Sequence, residues 1–327
     1  MRFGAPGMAG NVRRLVPDRK LIWLVPAFLL VAVAVSAQDL YKYKDKDGNW
    51  IYSDKRPADA TEVESRELEK SEPESIVDVD HSYDDETVTL TARNDFYAPV
   101  EVRIEFTNIE DLVPPAAGHP LTWVLPPRSE TVLMHLPLTE SAVQPALEYQ
   151  YRYMPGDPRA THEASEPYRA PFSISTDHRI TQAYPDGETH RTPDSFHAVD
   201  FAMPIGTDVV AAREGLVFAV ASTNFRSGLN PEIDGPAANV VRILHDDGTY
   251  AIYAHLNTNS IRVKPGDYVQ RGQYIADSGN TGFSSGPHLH FAVVRNIGLN
   301  IASVPVTFLG PSSDNIVPAS GNVLTAY

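Results

Sequence analysis

Beyond residue 87, apolar and polar residues alternate with a period of two along much of the chain. TVTLTARN, PVEVRIEFTN, SETVLMHL and EYQYRYMPGD each show it, and Pro, Gly and Asn separate them. In an extended backbone that period puts every second side chain on one face, so each run reads as a strand with one buried side. Four such runs at short spacing predict a small antiparallel β-sandwich of immunoglobulin-like character over residues 87–176. The same reading continues through GTDVVAAREGLVFAVAS, then NVVRILHDDGTYAIYAHL with its Asp247-Gly248 turn, then SIRVKPGDYVQRGQYIADSGNTG. Glycine is denser there, which predicts a second antiparallel β-domain over residues 177–308. The chain is therefore expected to be all-β. Residues 309–327, rich in Ser, Asn, Pro and Gly, are expected to form a flexible tail.

The first part of the chain follows other patterns. Arg13, Arg14, Arg19 and Lys20 precede the apolar run from Leu21 to Val35, which ends in Ser36-Ala37. A basic stretch, a short apolar core and small residues are the parts of a secretory signal, so residues 1–37 are read as a signal peptide. A retained membrane anchor is the alternative, but the run is shorter than the ~20 residues that span a bilayer and contains Pro26. Residues 38–57 read as a β-hairpin, with Leu40 to Tyr43 alternating, Asp47-Gly48 turning and Trp50-Ile51-Tyr52 returning. This stretch resembles a small uncharacterised module found on many proteobacterial envelope proteins. Residues 58–86 carry Glu62, Glu64, Glu67, Glu69, Glu72, Glu74, Asp78, Asp80, Asp84 and Asp85 and few apolar residues. Self-repulsion predicts an acidic linker, with a short helix an option around Glu62 to Lys70.

Composition narrows the chemistry. A formal net charge of -15 leaves no basic face for phosphates, so nucleic acid is not an expected partner. There is no cysteine, which removes disulfides, thiolate nucleophiles and thiolate metal sites; a metal here would need His, Asp or Glu. Export places the protein in the periplasm, where envelope proteins are available as partners.

Histidine and aspartate gather in the second β-domain. In GPHLHFAVV, residues two apart share a strand face, so His288 and His290 point the same way. One imidazole of such a pair can ligate a metal while its neighbour moves protons. The preceding SGNTGFSSGP lets backbone crowd the site. His255 ends the strand TYAIYAHL, and Asp200 stands between Val199 and Phe201 in a run that looks buried, where a carboxylate needs a cation or hydrogen bonds. His119, His135 and His162 lack ligand spacing and are read as surface or satisfied core histidines. His245, in its turn, is read as solvent-facing and structural.

Together AVDFAMPIGTDVVAAREGLV, NVVRILHDDGTYAIYAHL and VKPGDYVQRGQYIADSGNTGFSSGPHLHF resemble, in order, the LytM/lysostaphin-type zinc endopeptidases of bacterial cell walls. The resemblance implies a Zn2+ cofactor, a peptidoglycan substrate, Asp200 and His290 as ligands, and His255 and His288 as the two non-ligating catalytic histidines. It departs from the family at the first ligand. The common HxxxD spacing would put a histidine at Phe196, which leaves His190, ten residues before Asp200, or His197, three before it. Alignment with relatives that carry an inserted turn favours His190. A catalytically inactive LytM-like domain that activates a cell-wall amidase is the alternative function.

Overall fold

The computed structural model describes residues 76–327 apart from 117–119, 141, 143 and 313, and before them only the backbone of three strands, Asp39–Lys44, Trp50–Ser53 and Val63–Glu67. The signal segment and His119 lie outside the described residues. The three early strands form an antiparallel sheet with Asp39–Lys44 in the middle. Val63–Glu67 is thus a strand where a helix was an option.

Two three-stranded antiparallel sheets follow. One contains β1 (Val77–Tyr83), β2 (Thr87–Asn94) and β5 (Ser129–Pro137); the other contains β3 (Val100–Glu110), β4 (Leu121–Leu125) and β6 (Ala146–Pro155). The orders are β1-β2-β5 and β4-β3-β6. β1 corrects the expected linker, which was drawn through to residue 86. Val77 and Val79 alternate with Asp78 and Asp80, and both valines are buried in the core. The acidic composition conceals an edge strand in which Asp80 is exposed and Asp78 accepts from the Tyr151 hydroxyl at 3.3 Å.

Of the remaining strands among the described residues, some pair off in small two-stranded sheets and nine build the larger sheet: β7 (Asp177–Gln182), β8 (Val199–Ala202), β9 (Gly215–Ala221), β10 (Val240–Leu244), β11 (Tyr250–Ala254), β12 (Tyr268–Val269), β13 (His288–Asn296), β14 (Ile301–Ser303) and β15 (Val323–Thr325). Its order is β12-β9-β10-β11-β13-β8-β7-β15, with β14 also paired to β13. The architecture is nearly all β, as the alternation predicts. Two boundaries differ. β15 pairs with β7, and Leu324 and Ala326 are buried, so the expected flexible tail ends as an edge strand of the sheet. Tyr168, Ala170 and Phe172 already belong to the core of the large sheet, upstream of the expected boundary at residue 177.

The two faces of this sheet have different partners. On β13, Leu289, Phe291 and Val293 enter one core with Tyr253 of β11 and Phe201 of β8. Ala292 and Val294 face the other way and join the core of the two smaller sheets, together with Tyr250, Ile252, Ala254 and Ala198. Phe218 of β9 bridges them, its ring against Tyr250 and Phe96. Buried Glu101 of β3 adds a polar tie, accepting from Asn296 Nδ2 at 2.8 Å and from the Leu299 amide at 2.7 Å. Period-two alternation puts His288 and His290 on the same face as Ala292 and Val294. One face of β13 therefore carries chemistry at one end and a docked sandwich at the other.

Candidate metal centre and its flanking histidines

Strand register assembles most of the site. Asp200 of β8 pairs with His290 of β13, Ala202 with His288, and Ala254 of β11 with His290 on the other side. Neighbouring strands bring such pairs to about 5 Å. His290 Nδ1 lies 2.8 Å from Asp200 Oδ1, and His288 Nε2 lies 3.8 Å from Asp200 Oδ2. His255 follows Ala254, where the backbone leaves the strand at φ 62. A non-glycine residue in this left-handed region costs about 1–3 kcal/mol and persists only where the surroundings impose it. Here the turn swings the ring to 4.5 Å from His288 and 6.0 Å from His290, centroid to centroid.

His190 arrives differently, from the loop between β7 and β8. Its Nε2 stands 3.2 Å from Asp200 Oδ2, and its ring meets that of His290 edge to face at 5.0 Å. Gly187 packs on it so closely that a Cβ there would lie 2.8 Å from His190 Cβ. His197, the alternative first ligand, is turned away: its ring contacts Tyr184 at 4.7 Å, and its amide bonds Ser303.

Among the described residues, His190, Asp200 and His290 form one buried group whose donor atoms lie within 4.8 Å of one another. Such a group could hold a metal ion, and two features fit it. Neither ring nitrogen of buried His190 has a well-aligned hydrogen bond, although Nε2 stands 3.2 Å from Asp200 Oδ2, and a ligand role would satisfy one of the two. Two imidazoles and one carboxylate are also a donor set that zinc accepts. Burial pushes the Asp200 carboxyl up, but His190 and His290 against its oxygens hold it well below the usual carboxylate range. Burial pushes His290 down, and Asp200 opposes that shift.

The two flanking histidines are oriented by carbonyls. His255 Nδ1 lies 2.6 Å from Thr281 O, and His288 Nδ1 lies 2.8 Å from Gly286 O. A carbonyl only accepts, so each Nδ1 carries the proton and each neutral ring has Nε2 as its acceptor nitrogen. Burial, then the nearby His288 and His290, push His255 down to about 3. Both carbonyls belong to the glycine-rich segment before β13. Its Gly279 passes so close to Leu256 and Asn257 that a Cβ would meet backbone at 2.5 Å. Ser284 completes this wall, its Oγ donating to Gly286 O at 2.8 Å and lying 3.2 Å from His288 Nδ1.

The structure thus brings together all five predicted site residues, with His190 and not His197 beside Asp200. Thr281, Ser284 and Gln182, whose Nε2 donates to Asp200 Oδ2 at 2.7 Å, were not singled out from sequence. The first two lie within the segment that glycine content marked; nothing local marks Gln182. His245 corrects its solvent-facing assignment: it is buried, with Nδ1 2.8 Å from Glu214 O. His135 is exposed beside Thr89, and His162 lies 3.2 Å from the Tyr168 hydroxyl, so neither is in the site.

The model of peptidase family M23 matches residues 195–301, and a domain of unknown function, DUF4124, matches residues 27–75. The M23 match begins downstream of His190. Lysostaphin of Staphylococcus simulans is 36% identical over 115 residues, covering 35% of this chain and 21% of its own length. Peptidoglycan DD-endopeptidase ShyA of Vibrio cholerae is 35% identical over 121 residues, covering 36% of this chain and 25% of its own. The chain thus spans about a quarter or less of these two relatives. The catalytic domain of the prophage-encoded M23 protein EnpA from Enterococcus faecalis is 31% identical, covering 44% of this chain and 92% of that structure, with a TM-score of 0.30. The chain belongs to the LytM/lysostaphin group of peptidase family M23, through the domain that carries Asp200, His255, His288 and His290.

Proposed function

We propose that the protein is a zinc-dependent endopeptidase that hydrolyses peptide cross-links of peptidoglycan in the periplasm, at the bond between D-alanine and diaminopimelate. The observation that carries this reading is the buried His190–Asp200–His290 group flanked by the His255–His288 pair. Two imidazoles, one carboxylate and no thiolate form a donor set suited to zinc at a catalytic site. The peptidoglycan DD-endopeptidase activity in the name of ShyA supports the substrate class, the proteobacterial-type module suggests the bond, and that module with the signal-like segment suggests the location.

His190, Asp200 and His290 would hold the ion, which when bound supplies a Lewis acid that polarises a carbonyl and acidifies a water towards pKa ~7. The surrounding residues do the rest. His288, part-exposed and held by Gly286 O, takes the proton of the attacking water at Nε2. In its protonated form it then donates to the departing amine. His255, wholly buried and against the His288 ring, keeps its proton towards the Thr281 carbonyl and presents Nε2 as an acceptor, so it orients the attacking water beside His288. Asp200 stays ionised between His190 and His290 and keeps both rings turned inward.

A binding-only domain that activates an amidase has no use for this complete set, which speaks against that alternative. The test is to incubate purified sacculi with the mature chain, with and without a chelator, and to identify released muropeptides by mass. Chelator-sensitive loss of cross-linked dimers is expected. Undiminished release from His290→Ala protein would overturn the reading.

A further inference from the structure

The loop carrying His190 has no strand ladder to fix it, yet the histidine must meet Asp200 to within tenths of an ångström. Gln182 links the two. It ends β7 directly opposite Asp200, beyond an irregularity in the pairing after Ile180. Its Nε2 donates to Asp200 Oδ2 at 2.7 Å. Its Oε1 accepts from the Thr189 amide at 2.9 Å and from Thr189 Oγ1 at 3.1 Å, while Nε2 lies 3.0 Å from that hydroxyl. Thr189 is the residue before His190. One side chain therefore grips the carboxylate with its donor end and the backbone entering the loop histidine with its acceptor end.

We propose that Gln182 is a positioning residue for metal binding, setting His190 against Asp200. This rests on the metal reading given above. The chemistry needs an amide, because the two neighbours ask for opposite things. A carboxylate at 182 would face Asp200 with like charge, and an apolar side chain would leave the Thr189 N–H and one Asp200 lone pair without this partner. The amide orientation follows from the same partners, since a reversed group would point oxygen at oxygen. Hydrogen bonds of this kind behind a ligand set its direction, and their loss typically costs about 10–100-fold in metal affinity. The dependence arises because the first histidine stands outside the HxxxD spacing: a ligand on a loop needs a clamp that a strand-borne ligand does not.

The test uses the full chain and zinc alone. Zinc affinity is measured by competition with a chromogenic chelator for the parent, Gln182→Ala, Gln182→Met and Thr189→Val. The melting temperature of each metal-free protein and the visible spectrum of its cobalt(II) form are recorded beside it. Gln182→Ala and Gln182→Met are expected to bind zinc about 10–100-fold more weakly, with altered cobalt bands and metal-free melting near that of the parent. Thr189→Val keeps the backbone N–H and is expected to stay within about threefold of the parent. Gln182→Met fills the same space, so it carries the test if the alanine variant folds poorly. Parent-like affinity and spectra in Gln182→Met, or a fall in melting temperature with unchanged affinity, would overturn the proposal. A parent that fails to bind zinc would instead sink the metal reading itself.

Discussion

Asp200 and His290 reach the candidate site from adjacent strands, and His190 reaches it from a loop. The first two are paired in one antiparallel ladder, so their separation is set by backbone hydrogen bonds that also hold the sheet. Displacing either requires opening β8 from β13. His190 has no such frame: Gly187 packed on its ring and Gln182 bound to the preceding amide keep it in place. Equal burial conceals this difference, since all three are less than 5% exposed. A ladder delivers a ligand as a by-product of folding. A loop delivers one through a few specific contacts, which substitution can weaken while leaving the fold intact.

The largest effect should come from the ligands themselves. His190→Ala, Asp200→Ala and His290→Ala are each expected to weaken zinc binding by on the order of a thousandfold or more, because two donors rarely retain the ion. His197→Ala should leave affinity within about threefold. Equilibrium zinc titration of the four variants decides whether loop and strand ligands are equal members of one site. Zinc bound by His190→Ala with parental affinity would break the comparison.

A smaller effect should appear at Gly187→Ala. The added Cβ meets His190 Cβ at 2.8 Å, and overpacking of this kind costs about 1–3 kcal/mol. The expected outcome is roughly tenfold weaker zinc binding, by the same titration, together with a modest fall in the denaturation midpoint of the metal-free protein. A change confined to stability would mean that the loop is as fixed as the strands.

The smallest effect concerns a buried histidine with no ligand role. His245 lies beyond the other end of β11 from His255, and burial, partly offset by the Glu214 carbonyl, pushes it down to about 4. Unfolded, it titrates near ~6.5. Between these values the unfolded chain binds a proton that the folded chain refuses, so stability should fall as pH drops from about 6.5 to 4. Denaturation midpoints measured across that window should lose part of their slope in His245→Asn. An unchanged slope would assign the acid sensitivity to other groups.

The chemistry-bearing part of the fold was legible because it rests on periodicity. His288 and His290 must share a face once GPHLHFAVV is a strand, and Asp200 between Val199 and Phe201 marks a carboxylate that burial forces to find partners. His255 was legible as a strand end, though not its φ of 62. The first ligand was ambiguous because spacing along a loop does not determine where it folds back. Val77 and Val79 were hidden by the acidic residues between them, and β15 by the polar residues before it.

Taken alone, the sequence determined an all-β chain, the shared face of the HxH pair, the absence of any thiolate ligand and a family resemblance across three motifs. Those properties follow from local geometry and composition, which neighbours in sequence already fix. Tertiary structure decided what depends on distant segments meeting. His190 is the histidine that stands beside Asp200, Gln182 joins them, Thr281 and Gly286 set the tautomers of His255 and His288, and the sandwich covers the rest of that face of β13. No local pattern encodes these meetings, because each is fixed by the register and packing of strands far apart in the chain.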